Sequence, residues 1–366
     1  MPAGNVAPKA TPATAAVDPT DPSAAATELL ARADALAVEG RAFEAIDLLS
    51  AANRASRDPH VELRLVRLRH EAFAELDLRN GRATWPPVVE DRFEGVAGLP
   101  TVDVSELDAD VVASAITHHG SLLVRNLLDA EDVATMVAAI DESFLACDSK
   151  SYAKVGTRSG SWYQPFRARP TDDPPAPGHR FWVREAGGVL AADSPPAFFT
   201  MVEMFEAVGL REVIAGYLGE RPVFSVDKCT LRRVPLGLNP PDWHQDGRFL
   251  GDDLRVLNVW VALTPCGGDL PCPGLDVVPK RFHELVPTGT DGAYFDWAVG
   301  HDCVLRESAD APIIRPEFRA GDALLFDEMF LHRTALDPTM IEERYAIESW
   351  FFAPSVYPGD IQPIVF

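Results

Sequence analysis

Six short runs rich in β-branched, aliphatic and aromatic residues follow one another after position 222, and Gly, Pro or Asp residues separate them. They cover Val223–Val234, Val256–Leu263, Leu275–Val278, Ile313–Arg315, Asp322–Phe326 and Arg344–Phe352. Short strands without long helices between them are typical of sandwiches and jelly rolls. We therefore predict an α+β fold whose main domain is a double-stranded β-helix, a cupin-like jelly roll braced by the helices that precede it.

Changes in composition along the chain predict four parts. Residues 1–20 are rich in Ala, Pro and Thr. Such a segment buries too little apolar surface to offset the entropy of ordering, so we expect a disordered tail. A helical segment is expected over 21–78, a linker with several Gly and Pro residues over 79–100, and the main domain over 101–366.

The helical segment has recognisable start signals and a partial repeat. Asp21 is predicted to cap its first helix and Asp58 its third. The run of Gly40, Phe43 and Ala52 resembles part of a tetratricopeptide repeat, which indicates a small all-α appendage. Because such repeats are stable only when stacked on neighbours, these helices either dock on the main domain or bind a protein partner.

Strand-like and helix-like patterns alternate between the linker and position 222. The strands are expected at Thr101–Val104 and Ser121–Arg125, and the helices at Asp108–His118, Asp129–Phe144 and Pro195–Gly219. The region 148–195 reads as irregular, and a long irregular stretch is often a lid over a site. Each of its aromatic and basic residues is either a substrate contact or an ordinary loop residue, and the candidates are Tyr163, Arg167, Trp182 and Arg184.

The formal net charge of −22 argues against nucleic acid or an anionic membrane surface as a partner. The sequence contains neither a run of about 18 apolar residues nor an apolar secretory signal, so a cytoplasmic protein is expected. The five cysteines include no CxxC pair. Cys266 and Cys272 are therefore expected to pack in a loop rather than to bind zinc.

The segment DWHQDG, residues 242–247, places His244 and Asp246 two positions apart. In an extended segment this spacing points both side chains to the same side. A mononuclear iron centre takes two histidines and one carboxylate and leaves its other positions open, so a second histidine should follow on a neighbouring strand. His332, just after the run Asp322–Phe326, is the best candidate.

Five segments form a series of motifs, namely DWHQDG (242–247), LNVWVAL (257–263), GLDVVPKRFHE (274–284), GDALLFDEMFLHRT (321–334) and ERYAIESWFF (343–352). Together they resemble the core motifs of the phytanoyl-CoA dioxygenase family of iron(II)- and 2-oxoglutarate-dependent oxygenases. The resemblance implies a jelly roll, with 2-oxoglutarate and O₂ as cosubstrates. It also implies that Fe(II) is held by His244, Asp246 and His332.

The distal carboxylate of 2-oxoglutarate suits the planar fork of an arginine better than a lysine. Arg344 matches the cosubstrate arginine of the family, and the alternative is a surface ion pair with a neighbouring glutamate. Thr334 and Trp260 match family positions near the same ligand. Alternation along Val256–Leu263 puts Asn258 on one face with Trp260, where both line the barrel mouth or simply pack.

The resemblance also bears on the reaction. Related halogenases carry Gly or Ala in place of the carboxylate, so Asp246 favours oxygenation. We predict a dioxygenase that hydroxylates a small organic substrate, free or carrier-tethered, while 2-oxoglutarate becomes succinate. Desaturation, epoxidation or rearrangement would use the same three ligands. A catalytically silent interaction protein should lack a ligand, and a cupin-like isomerase or lyase would not need Arg344 and Thr334.

Overall fold

The computed structural model describes residues 22–79, 84–149, 158–168, 177–234, 242–251, 254–289, 292–359 and 361–366. The predicted tail 1–20 and the predicted cap Asp21 lie outside these ranges. Within them, none of the helices combines the length and the apolar character needed to cross a membrane.

The strands are β1 Thr101–Asp103, β2 Ser121–Arg125, β3 Gly188–Leu190, β4 Val223–Val234, β5 Val256–Ala262, β6 Cys266–Gly267, β7 Leu275–Val277, β8 Glu317–Phe318, β9 Ala323–Phe326, β10 His332–Thr334, β11 Arg344–Phe352 and β12 Pro363–Val365. One large sheet has the order β1-β2-β9-β5-β11-β4-β12, with β3 paired to β4. Its pairs are antiparallel apart from β1 with β2. The predicted α+β class is therefore confirmed.

The large sheet has two differently covered faces. In β5, Leu257, Val259 and Val261 belong to a core shared with helices, whereas Trp260 and Ala262 belong to a second core on the opposite face. This is the alternation that the sequence predicts for the strand. The sheet is thus buried on both sides.

Shorter pairings face the second core. β10 pairs with β7 and β6 pairs with β8, both antiparallel. Single bridges join His244 to His332 and Val277 to Ile314. The strand predicted at 313–315 is reduced to that one bridge, because Pro312 and Pro316 flank it and proline has no N–H for a ladder.

The helices are α1 Ala24–Val38, α2 Ala42–Ala55, α3 Pro59–Glu71, α4 Ala109–His119, α5 Ala130–Asp148, α6 Arg158–Trp162, α7 Pro177–Glu185, α8 Pro195–Ala207, α9 Leu210–Leu218, α10 Gly247–Leu250 and α11 His301–Glu307. Residues of α4, α5, α8 and α9 pack on the first face of the large sheet. The single helix predicted over Pro195–Gly219 is two helices. Gly209 divides them, because its φ of +71° is left-handed and incompatible with a continuing helix.

The region 148–195, predicted to be an irregular lid, contains α6, α7 and β3. A buried carboxylate organises it. Asp193 accepts a hydrogen bond from the backbone N–H of Phe166 at 2.7 Å and forms an ion pair with Arg180 at 2.6 Å. Phe166 is itself buried. The aromatic-rich stretch therefore anchors on the helical core, which its local sequence pattern does not reveal.

The first three helices lie against the main body. Ser23 caps α1, and its hydroxyl accepts from the Ala26 N–H at 3.1 Å. Asp58 caps α3 as predicted. Arg57 donates to the Pro196 carbonyl at 2.8 Å, and Arg69 donates to the Val365 carbonyl at 3.1 Å. Apolar side chains of α2 and α3 share a core with Phe199, Val223 and Val365.

Candidate metal centre

His244 and His332 lie directly opposite each other on two antiparallel segments. The N–H of His244 donates to the carbonyl of His332 at 3.0 Å, and the reverse bond measures 3.1 Å. A residue pair that exchanges both backbone hydrogen bonds projects its side chains to the same side. The imidazole centroids are accordingly 4.5 Å apart.

Backbone carbonyls orient both imidazoles. Nδ1 of His244 is 3.0 Å from the Asp242 carbonyl, and Nδ1 of His332 is 2.9 Å from the Phe330 carbonyl. A carbonyl can only accept, so each Nδ1 carries a proton, and in a neutral imidazole this tautomer leaves the lone pair on Nε2. Histidine ligands of metals are commonly held in this way by their other nitrogen.

Asp246 completes the group at the turn where the extended segment becomes α10. Its backbone is helical, with φ −64° and ψ −22°, so the turn into α10 directs its carboxylate, and the extended backbone assumed from the sequence ends before it. Asp246 Oδ2 lies 3.7 Å from His332 Nε2. The sequence prediction that the two histidines and this carboxylate converge agrees with the geometry.

The three side chains fit a divalent metal. One potential ligand atom from each of His244, Asp246 and His332 lies within 4.8 Å of the other two. Burial, with a contribution from His244, lowers the pKa of His332 to about 4, so its imidazole is neutral at pH 7. Two neutral imidazoles and one carboxylate are the donor set of mononuclear non-haem iron enzymes.

Gln245, between two of these residues, faces the protein instead. Its amide nitrogen Nε2 donates to the Met329 carbonyl at 2.7 Å, and its Oε1 accepts from the Val286 N–H at 2.7 Å. The side chain is buried. Gln245 therefore joins the DWHQDG segment to the two loops beside it.

Arg344 is a buried guanidinium without an anionic partner among the described residues. It is 3% exposed, and Nη1 donates to the Gly274 carbonyl at 2.9 Å. Its Nε has no hydrogen-bond partner among the described residues, and none of their carboxylates lies within 4.0 Å of the guanidinium. The surface ion pair considered as an alternative is wrong, since Glu343 pairs with Arg233 at 2.8 Å. Burial lowers the pKa of Arg344, which shows how costly its charge is here.

The other predicted cosubstrate residues lie on the same side of the large sheet. The Trp260 ring has the Arg344 guanidinium 5.4 Å from its centroid. Asn258 is buried and its Oδ1 lacks a partner among the described residues, as does Nε1 of its cross-strand neighbour Trp350. Thr334 follows His332 by two positions in β10, which puts both on one face.

Sequence reasoning missed Glu348. It lies four residues after Arg344 in β11, on the same face, and pairs with Arg232 of β4 at 2.8 Å. Burial opposes its ionisation, but Arg232 outweighs burial and lowers the pKa of Glu348, with smaller contributions from Lys228 and His332. Strand parity with Arg344 is the signal that could have found it.

The four substrate candidates from 148–195 show no contact with the candidate metal ligands among the described residues. Arg184 forms a two-pronged ion pair with Asp148, with bonds of 2.6 and 2.7 Å. Tyr163 packs on the helical core, and burial raises its pKa. Trp182 is exposed and stacks on a histidine, and Arg167 is half-buried with no side-chain hydrogen bond to a described residue. Their role in substrate binding stays a prediction.

An open cleft of about 730 Å³ lies elsewhere, where α3 meets α5 and α8. Its lining includes Arg57, Glu62, Asp141 and Thr200. None of the three candidate ligands borders it. Its size therefore says nothing about the metal centre.

Solved structures resemble this fold distantly. AviO1 from Streptomyces viridochromogenes Tue57 is 17% identical, with a TM-score of 0.43, covering 69% of this chain and 97% of AviO1. The epimerase SnoN, in complex with Fe³⁺, alpha ketoglutarate and nogalamycin RO, is 18% identical, with a TM-score of 0.44, covering 66% of this chain and 82% of SnoN. EctD from S. alaskensis, with 2-oxoglutarate and 5-hydroxyectoine, is 16% identical, with a TM-score of 0.45, covering 73% of this chain and 86% of EctD.

No protein-family model matches the chain, and no curated protein does. The function proposed below therefore rests on the residues of the site itself.

Proposed function

We propose that this protein is a non-haem Fe(II)- and 2-oxoglutarate-dependent dioxygenase acting on a small organic substrate. The observation that carries the proposal is Arg344, a buried guanidinium without an anionic partner among the described residues. It shares β11 with Ala346 and Trp350 of the second core, to which Phe326 beside the His332 ring also belongs. A buried charge is strongly destabilising unless something compensates it, so this position calls for an anion. A dicarboxylate that also chelates the metal would supply it.

Each residue then has a defined task. His244, Asp246 and His332 hold one face of the metal and leave its other positions to ligands. Arg344 takes the distal carboxylate of 2-oxoglutarate through its fork, and Trp260 and Thr334 border that end. Asn258 offers an unpaired amide oxygen to the same space. Iron bound there would couple substrate oxidation by O₂ to decarboxylation of 2-oxoglutarate, which gives succinate and CO₂.

We also infer that the two layers around the second core are the halves of a jelly roll. The five motifs support membership of the phytanoyl-CoA dioxygenase family. Asp246 favours hydroxylation over halogenation, and desaturation and epoxidation remain alternatives with the same ligands. Five cysteines that form no disulfide among the described residues, together with a need for reduced iron, fit the cytoplasm.

Two competing functions are less well supported. A catalytically silent protein that acts through residues 21–78 has no need for a complete ligand set. A cupin-like isomerase or lyase has no need for an uncompensated arginine at Arg344. Oxygen consumption that depends on 2-oxoglutarate distinguishes the proposed oxygenase from both.

The test is succinate formation by purified protein supplied with Fe(II), 2-oxoglutarate and O₂. Slow turnover without substrate is expected in the wild type and should disappear in His332→Ala. Asp246→Ala should remove it as well. Equal succinate formation in the wild type and in both variants would contradict the assignment of the ligands, and its absence from iron-loaded wild type at every 2-oxoglutarate concentration would contradict the proposed reaction.

A further inference from the structure

A series of aromatic rings borders the metal centre. The His244 ring lies 6.2 Å from Phe249 and 6.1 Å from Trp297, and these two rings are 5.3 Å apart. The Trp297 ring in turn stacks on the Phe295 ring, with the centroids 5.0 Å apart and an interplanar angle of 7°. We call Phe249, Trp297 and Phe295 the aromatic wall.

The aromatic wall is open to a ligand. Phe249 and Phe295 are 42% and 44% exposed, although large apolar side chains usually become buried. An exposed apolar surface that adjoins a reactive centre is typical of a binding site. Flat ring systems bind such a wall best, because offset or edge-to-face ring contacts contribute beyond the area they bury.

A lysine lies beside this wall. Lys228 Nζ lies 5.5 Å from the centroid of the Phe249 ring. Its strand neighbour Arg232 is already compensated by Glu348, whereas no ion pair joins Lys228 to a carboxylate in the part of the chain that the structure describes. In a chain of net charge −22, an anionic ligand meets general repulsion, so a local cation decides whether it can bind.

Lys228 is too far from Arg344 to serve the same carboxylate. Arg344 is the register partner of Val234 in β4, six residues beyond Lys228. Six residues of extended strand span about 20 Å. A cosubstrate whose distal carboxylate is on Arg344 therefore leaves Lys228 to a different molecule.

We infer that the substrate carries a flat apolar ring system and an acidic group, with the rings against the aromatic wall and the acid on Lys228. The inference rests on the proposed function and names the substrate class of that site. Because Phe249 and Trp297 both contact the His244 ring, a substrate lying on the wall would lie beside the residues that would hold the metal.

Binding of two naphthalene probes tests this assignment. Full-length, metal-free protein, with excess 2-oxoglutarate to occupy Arg344, is dialysed against 2-naphthoate or against neutral 2-naphthalenemethanol. The wild type should bind 2-naphthoate saturably at one site. Lys228→Met should raise the Kd for 2-naphthoate about tenfold and leave that for the alcohol unchanged. Phe249→Ala should raise both about fivefold.

Matched controls are available in the chain. Lys280 lies 5.0 Å over the Phe282 ring, and Phe93 lies 6.1 Å from the His119 ring, both geometries like those of the wall. Lys280→Met and Phe93→Ala should leave both Kd values unchanged. Phe249→Leu serves in place of the alanine variant if circular dichroism shows that the latter is unfolded.

Three results would overturn the inference. They are non-saturable binding of 2-naphthoate to the wild type, an equal effect of Lys228→Met on acid and alcohol, and loss of 2-naphthoate binding in Arg344→Met but not in Lys228→Met. Because the measurement uses no iron, the inference can fail while succinate forms. It can also hold while succinate does not form, so the two failures are distinguishable.

Discussion

Replacing Arg344 with methionine should change stability and cosubstrate affinity in opposite senses. In the protein without cosubstrate, the substitution removes a buried charge that has no anionic partner in the described parts of the chain. Methionine has a similar shape and no charge to desolvate. The Gly274 carbonyl keeps a donor, the Ala335 N–H at 3.0 Å, so the interactions lost without replacement are the 3.4 Å contact to the Pro273 carbonyl and the contact with the Trp260 ring. We expect the free energy of unfolding to rise by about 1–2 kcal/mol.

The same change removes the fork that binds 2-oxoglutarate. Two charge-assisted hydrogen bonds contribute about 3 kcal/mol or more to binding, which corresponds to about a hundredfold increase in Kd. Arg344→Lys should have a smaller effect, because it keeps a point charge without the planar fork. Arg233→Met is the control. Arg233 is partly exposed, pairs with Glu343 and precedes Val234, the register partner of Arg344. Its replacement should change the free energy of unfolding by less than about 1 kcal/mol and should leave the affinity for 2-oxoglutarate unchanged.

Urea denaturation of the metal-free protein measures the first quantity. The shift of the urea midpoint on adding 2-oxoglutarate with Zn²⁺, a redox-inert stand-in for Fe²⁺, measures the second, since a ligand that binds only the native state stabilises it. A loss of about 3 kcal/mol in Arg344→Met would refute the reasoning that its charge is uncompensated. An unchanged response to 2-oxoglutarate would refute its role as the cosubstrate arginine.

Two further predictions concern the supporting structure. Gln245→Met should lower the free energy of unfolding by about 2–4 kcal/mol, because the Val286 N–H and Met329 carbonyl lose buried partners, and should weaken metal binding about tenfold. Wild-type values in both assays would contradict the role of Gln245. Burial raises the pKa of Glu62 despite its contacts with Arg57, so the folded state holds this proton to higher pH than the unfolded state. Stability should therefore fall as pH rises above about 4.5, and Glu62→Gln should flatten that dependence in urea titrations at several pH values; identical slopes would contradict it.

Long strands could be predicted from the sequence almost to the residue. The bounds of β4 and β11 agree with the prediction because each is an uninterrupted run between turn residues, and alternation alone assigned the two faces of β5. The sequence also predicts that His244, Asp246 and His332 converge, and their potential ligand atoms do lie close together, although a helical turn at Asp246 replaces the extended backbone that the spacing argument assumed.

Other features depend on contacts between distant residues. The region 148–195 takes its structure from the buried Asp193, whose partners Phe166 and Arg180 share no local periodicity with it. The ion pair of Glu348 with Arg232 forms between neighbouring strands, so the sequence around Glu348 does not indicate it. The aromatic wall brings together Phe249 and Trp297, which β5, β6 and β7 separate along the chain, so no local sequence spacing indicates their contact.

The most direct test of the central claim is visible absorption under nitrogen as Fe(II) and 2-oxoglutarate are added to the protein. Chelation of iron by the keto acid should produce a weak charge-transfer band that requires both additions. The band should be absent from His332→Ala and should need about a hundredfold more 2-oxoglutarate in Arg344→Met. A folded wild-type protein that binds Fe(II) and 2-oxoglutarate but develops no band would contradict the proposed site.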